Sequence, residues 1–192
     1  QTLSAALNAL SNTDAGATWV TSMNLIDGSV EDNTADGLNV YKSYLRIWSI
    51  NQSKYLDPSA LTFTIDPVNG AQAWKTLSLT GANAVRNFSW NTSAAPFIGG
   101  FRYLLEAYAV DGAANSTGTA AAPRFTKYFR FDNDAPTLSV STPVAGNYGL
   151  DSLERLMGNS SDPTSSVQNV EWNLSRPPLF KWDKTSSPWL EQ

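Results

Sequence analysis

Histidine and cysteine are both absent from this chain of 192 residues. Without histidine the chain lacks the usual general base, the serine–histidine–aspartate arrangement and the commonest transition-metal ligand. Without cysteine it has no disulfide framework, no thiolate nucleophile and no zinc–thiolate site. That second absence leaves the compartment open, because oxidised compartments also hold cysteine-free proteins. Charged residues are sparse at 16%, and no cluster of Lys or Arg occurs anywhere. With a net charge of −4 and a pI near 4.7, this argues against a nucleic-acid backbone as the main partner. No apolar run approaches the roughly 20 residues of a membrane-spanning helix. No signal peptide is visible, and a start at Gln1 without Met is expected of a chain that is processed or cut from something longer.

What the chain does have is alternation. Phe125, Phe129 and Phe131 fall on one face of a strand, with Thr126, Tyr128 and Arg130 on the other. Asp132, Asn133 and Asp134 then stop that strand, and Pro136 holds Ala135 extended. Phe101–Val110 is the strongest strand pattern. Val40–Ile50 places Tyr44, Arg46, Trp48 and Ile50 on one side and Leu45 and Ile47 on the other, as expected of a central strand with both faces partly covered. Shorter runs occur at Trp19–Val30, broken near Gly28, and at Leu61–Ile65, Trp74–Leu79 and Val85–Trp90. Turn signals separate them, among them Asp36-Gly37, Asp57-Pro58 and Asn69-Gly70. Seven or eight short strands between about residues 18 and 132 predict a two-sheet β-sandwich. Before them, Leu3, Ala6, Leu7 and Leu10 have helical spacing, so residues 1–17 read either as a short helix or as a linker-like terminus.

Two stretches carry a family resemblance. Tyr108-Ala109-Val110-Asp111-Gly112-Ala113-Ala114-Asn115 resembles the penultimate strand and turn of bacterial immunoglobulin-like repeats, which read alanine-x-aspartate-x-alanine-glycine-asparagine. This copy departs from that pattern by exchanging the glycine and an alanine. Phe129–Thr137 is similar to the junction between two such repeats. The resemblance implies an all-β chain: an immunoglobulin-like β-sandwich over residues 18–132, a linker over 133–136, and a second, incomplete immunoglobulin-like unit over 137–192. An internal match supports a repeat: Gly28 and Asp32 have the same spacing as Gly158 and Asp162, and each pair precedes a strand carrying Trp, Trp48 in one and Trp172 in the other. The second copy is about half the length of the first. Its candidate strands are Thr137–Val140, Leu153–Met157 and Val167–Leu174, followed by an aromatic stretch from Phe180 to Trp189. Such a half sandwich is expected of a fragment of a longer protein, of a fold completed by strands from another chain, or of a reduced fold.

Candidate sites are few. Asp132 and Asp134, with Glu31, Asp32 and Asp111 on loops that a sandwich could bring near them, form an oxygen-ligand set for calcium. The linker also resembles the calcium-binding junction of cadherins. Trp182 and Trp189, near Pro177-Pro178 and Pro188, are the candidate partner or glycan surface, whereas Trp48 and Trp172 read as core. Glu106, Glu154 and Glu171 form no acid/base arrangement, and Glu106 reads as outward-facing or paired, so no catalytic role is expected. Six Asn-x-Ser/Thr triplets are compatible with a surface protein. The expected function is a structural or interaction segment of an extracellular or cell-surface multi-repeat or filament protein. Neighbouring repeats or subunits would be its partners, without nucleic acid or a membrane span. An adhesin-like or carbohydrate-binding accessory module is the alternative.

Overall fold

The computed structural model describes residues 2–3, 9–31, 40–81, 85–123, 125–143, 155–173, 175–176, 180–182 and 189–191. Of these, 2–3, 40–41, 175–176, 180–182 and 189–191 are described by backbone alone. The chain divides into two compact units, Gln1–Asp134 and Ala135–Gln192. In each, strands are the main regular structure among the described residues.

The first unit contains β1 (Thr2–Leu3), β2 (Thr18–Val20), β3 (Leu25–Glu31), β4 (Val40–Ser49), β5 (Lys54–Leu56) and β6 (Phe63–Ile65). It continues with β7 (Lys75–Leu77), β8 (Leu79–Thr80), β9 (Val85–Asn91), β10 (Arg102–Asp111) and β11 (Phe125–Phe131). One sheet has the order β1-β3-β9-β8. The other runs β2-β11-β10-β4-β5-β6, with β7 also paired to β4. All pairs are antiparallel except β2 with β11, which is parallel. Alternation in the sequence explains the layering. Ile26 and Val30 of β3 and Phe88 and Trp90 of β9 share one core with Leu45 and Ile47 of β4, Tyr103 and Leu105 of β10, and Phe129 and Phe131 of β11. Every second residue points into this shared layer.

Three local expectations are corrected. The break in Trp19–Val30 falls at residues 21–24, between strands of different sheets, while Gly28 lies inside β3 opposite Phe88 and Leu3. Asn69-Gly70 lies within a 3-10 stretch, Pro67–Ala73, where Gly70 packs so close to Tyr55 that a Cβ would stand 2.9 Å from its ring. The N-terminal segment is neither a linker nor, where described, a helix. Leu3 belongs to β1, Leu10 is buried in the core, and the Ser11 carbonyl accepts a hydrogen bond from the Tyr128 amide at 2.8 Å. Lys127, on the core-facing side of β11, donates its ammonium to the Leu10 carbonyl at 2.9 Å. A buried ammonium needs such an acceptor, so sequence far from β11 is tied to it. Ala6 and Leu7 lie outside the described residues.

The second unit has β12 (Thr137–Thr142) paired with β13 (Met157–Ser161), and a separate ribbon of β14 (Ser175–Arg176), β15 (Phe180–Trp182) and β16 (Trp189–Glu191). Residues 167–173 form no strand, and Trp172 is 54% exposed rather than core. The expected strand Leu153–Met157 is also displaced: Arg155 and Leu156 precede β13, and residues 153–154 lie outside the described residues. Among the residues 135–143 and 155–173 of this unit, none is buried.

Candidate interaction surfaces

The outer face of the larger sheet is the most elaborate polar cluster of the molecule. Arg46 of β4 and Glu106 of β10 are direct cross-strand partners, and both point away from the core. Their side chains meet at 2.6 Å, from Nε to Oε2, with about a tenth of each exposed. The Arg46 guanidinium lies 4.6 Å from the Tyr55 ring centre and 4.2 Å from that of Trp74, and it also donates to the Gly70 carbonyl at 3.4 Å. Tyr44 stacks on Tyr108 at 4.6 Å, and Trp74 meets Tyr108 edge-on at 4.8 Å. Trp48 is therefore not core. It lies on this outer face, half-buried against Tyr55. The excursion β5–β6–Pro67–Ala73–β7 folds back across the sheet and shuts the ion pair away from water. A charge pair so enclosed is a structural clasp, in which the guanidinium gains both carboxylate and ring quadrupoles. Opposite charges central in two strong strands hinted at the pair. Nothing in the sequence signalled that Tyr55 and Trp74 would cover it.

The five acidic residues read as calcium ligands do not form one site. Asp111 ends β10, whereas Asp132 follows Arg130, which pairs with Arg102 at the opposite end of that strand. Ten residues of strand put about 30 Å between them. The Asp111 carboxylate closes its own turn, accepting from the amides of Ala113 at 2.9 Å and Asn115 at 2.8 Å and from the Asn115 side chain at 2.9 Å. The Asp132 amide donates to the Val20 carbonyl at 2.9 Å, and its carboxylate accepts from the Asp134 amide at 3.1 Å. β3 starts shortly after Val20, beside Asp132, and runs away from it to Glu31. Asp32 lies outside the described residues. Among the described residues, no three Asp or Glu side chains gather as metal ligands.

The β12–β13 pair presents a different kind of surface. Leu138 and Val140 share one face and are 60% and 63% exposed, and Met157 is 44% exposed. Val140 lies opposite Gly158 and Ser139 opposite Asn159. In the first unit Leu3 lies opposite Gly28 and Thr2 opposite Ser29. The two glycines matched in sequence therefore sit in strand pairs of the same register, each facing an aliphatic residue. Gly158 is required there, because a Cβ would lie 2.3 Å from the Ser139 carbonyl oxygen. In the first unit β3 is covered by β9 on its other edge; β13 has no such neighbour among the described residues.

Trp182 and Trp189 are brought together: they are direct cross-strand partners of β15 and β16. Glu171 is exposed, within 3.3 Å of the Asn169 amide, and Glu154 lies outside the described residues. A shallow concavity of about 410 Å³ also lies on the outer face of the smaller sheet, lined by Asp27, Ser29, Asn87 and Ser89. Among the described residues, no helix is long and apolar enough to cross a membrane. Scans of protein-family models, curated proteins and solved structures return no match to this chain.

Proposed function

We propose that this chain is a tandem immunoglobulin-like segment of an extracellular, multi-repeat surface or filament protein, acting as a rigid spacer and assembly module. The observation that carries the reading is the repeated register: β12–β13 reproduces β1–β3 around the matched glycines Gly28 and Gly158. The strand order of the first unit supports it. One sheet of four strands in the order β1-β3-β9-β8 faces a second built around β11-β10-β4, the arrangement of an immunoglobulin-like sandwich with additional edge strands. Neighbouring repeats or subunits are the partners of this reading, and no catalytic role is assigned. A closed unit joined to an incomplete one suits a chain of modules better than a pocket enzyme. Protease treatment of intact source cells tests the placement. Peptides of this chain should be released without lysis, and their appearance only after lysis would overturn the reading.

A second reading, a glycan-binding accessory module, has one observation in its favour: Trp182 and Trp189 stand opposite each other in register. Paired tryptophans form stacking platforms. Glycan-array binding abolished in both Trp182→Ala and Trp189→Ala would favour that reading over the spacer.

A further inference from the structure

We propose that the edge of β11 is a segment-exchange groove, in which residues 9–20 of a second copy of this chain seat in place of the chain's own. The proposal rests on the reading of the chain as an assembly module and names the contact by which copies join. The occupant is identified by the structure itself, because the chain's own residues 9–20 lie in that groove.

Four kinds of contact read the segment. Leu10 is 4% exposed in the core, and its carbonyl accepts from the Lys127 ammonium at 2.9 Å. The Ser11 carbonyl accepts from the Tyr128 amide at 2.8 Å. Asp14 meets Arg102 at 2.6 Å, and the Arg130 guanidinium lies 5.5 Å from the Trp19 ring centre. Thr18, Trp19 and Val20 then pair in parallel with Phe129, Arg130 and Phe131. Lys127, Arg102 and Arg130 make this edge cationic, and Asp14 is the single charge of residues 9–20. Main-chain pairing supplies the hold, and the buried leucine, the ion pair and the ring contact supply the specificity.

The segment can leave without dismantling the unit that holds it. Among the described residues β1 and β2 are the outermost strands of their sheets, so no strand has to be crossed. Leu10 alone of the apolar core cluster precedes Met23. The connection to the rest of the unit is two exposed residues, Thr21 and Ser22, between firm anchors. On one side the Val20 carbonyl accepts from the Asp132 amide at 2.9 Å. On the other Met23 is buried, its carbonyl accepts from the Thr92 hydroxyl, and the Asn24 carbonyl accepts from the Thr92 amide at 2.9 Å. A short hinge between anchored parts invites exchange. Opening it carries the segment to a second copy where every contact is remade, so the closed and exchanged forms differ chiefly in the hinge.

Because the chain has no native cysteine, introduced cysteines report where the segment sits. Ser11 and Tyr128 are bridge partners, so one chain carrying both Ser11→Cys and Tyr128→Cys should close an internal disulfide. When copies with Ser11→Cys are mixed with copies with Tyr128→Cys, only a link between copies can form. After incubation at high concentration, mild oxidation should give roughly tenfold or more mixed dimers than Ser11→Cys with Val68→Cys, an exposed control, because seating raises the effective thiol concentration. Deleting Thr21 and Ser22 keeps the segment from folding back on its own unit, and light scattering of that chain should show dimers or longer assemblies. Mixed dimers no more frequent than in the Val68→Cys control, Ser11→Cys copies linked to one another at the same yield, or a monomer after the deletion would each overturn the proposal. Surface exposure is measured separately, so copies that never exchange but are found on the cell surface remove this inference and leave the proposed function standing.

Discussion

At the scale of single residues, the turn after β10 holds one alanine in a backbone conformation that suits glycine. Ala114 has φ of 68°, in the left-handed region, where a Cβ costs roughly 1–2 kcal/mol. Ala114→Gly should therefore stabilise the first unit by about 0.5–1 kcal/mol, since glycine's greater unfolded-state freedom offsets part of the relief. Thermal unfolding measures it, and a lower melting temperature would contradict the argument. Tyr103 gives the alkaline counterpart. Burial among Phe97 and Phe129 raises its phenol pKa, while the hydrogen bond its oxygen accepts from the Ile98 amide at 2.8 Å works in the opposite direction. A raised pKa in the fold means that this group's contribution is complete below the ordinary phenol value near 10 and is lost as pH rises through the folded value. Stability should fall above about pH 10, and Tyr103→Phe should flatten that part of the pH profile. The same substitution leaves the Ile98 amide unpaired, costing about 1–2 kcal/mol at neutral pH. The Arg46–Glu106 clasp is testable by asymmetry. Arg46→Ala alone strands a buried carboxylate and should cost about 3–5 kcal/mol, whereas Arg46→Met with Glu106→Leu should cost far less. Equal losses in denaturant unfolding would show that the pair is solvated.

At the scale of elements, legibility followed the length and alternation of each strand. β4, β10 and β11 were readable because ten, ten and seven residues run on without a Gly, Pro or Asn to break them. The strand pattern offered Glu106 as outward-facing or paired, and it is both. The elements that escaped are those held by partners distant in sequence. β1 has two residues and exists through β3, and the segment around Leu10 is fixed by Lys127, more than a hundred positions away. No local propensity encodes such contacts, and the helical spacing of Leu3 and Leu10 misled because tertiary pairing outweighs it. Removing residues 1–16 should thus destabilise the first unit, not merely shorten a tail. Loss of Leu10 burial and of the Lys127 hydrogen bond together costs about 3–5 kcal/mol. Equilibrium unfolding of the shortened chain measures this, and an unchanged midpoint would return the segment to the status of a linker. Candidate sites were less legible than strands for a related reason. Whether Asp111 meets Asp132 depends on which strand end each occupies, and that is fixed by pairing register.

At the scale of the whole molecule, burial among the described residues lies wholly in the first unit. Among the described residues, all sixteen members of the apolar core cluster lie between Leu10 and Phe131, in a unit long enough to bury roughly two thirds of its unfolded surface. Beyond Asp134, Leu138, Val140, Leu156, Met157, Val170 and Trp172 are all substantially exposed. Two strands without a covered face are marginal in water. Residues 1–134 expressed alone should therefore unfold in one cooperative transition at the temperature of the main transition of the full chain. Residues 135–192 alone should show no cooperative transition when dilute. Scanning calorimetry over a wide concentration range separates these outcomes. A cooperative, concentration-independent transition in residues 135–192 would mean that the second unit is closed by its own strands, and the division into a finished and an unfinished module would fall.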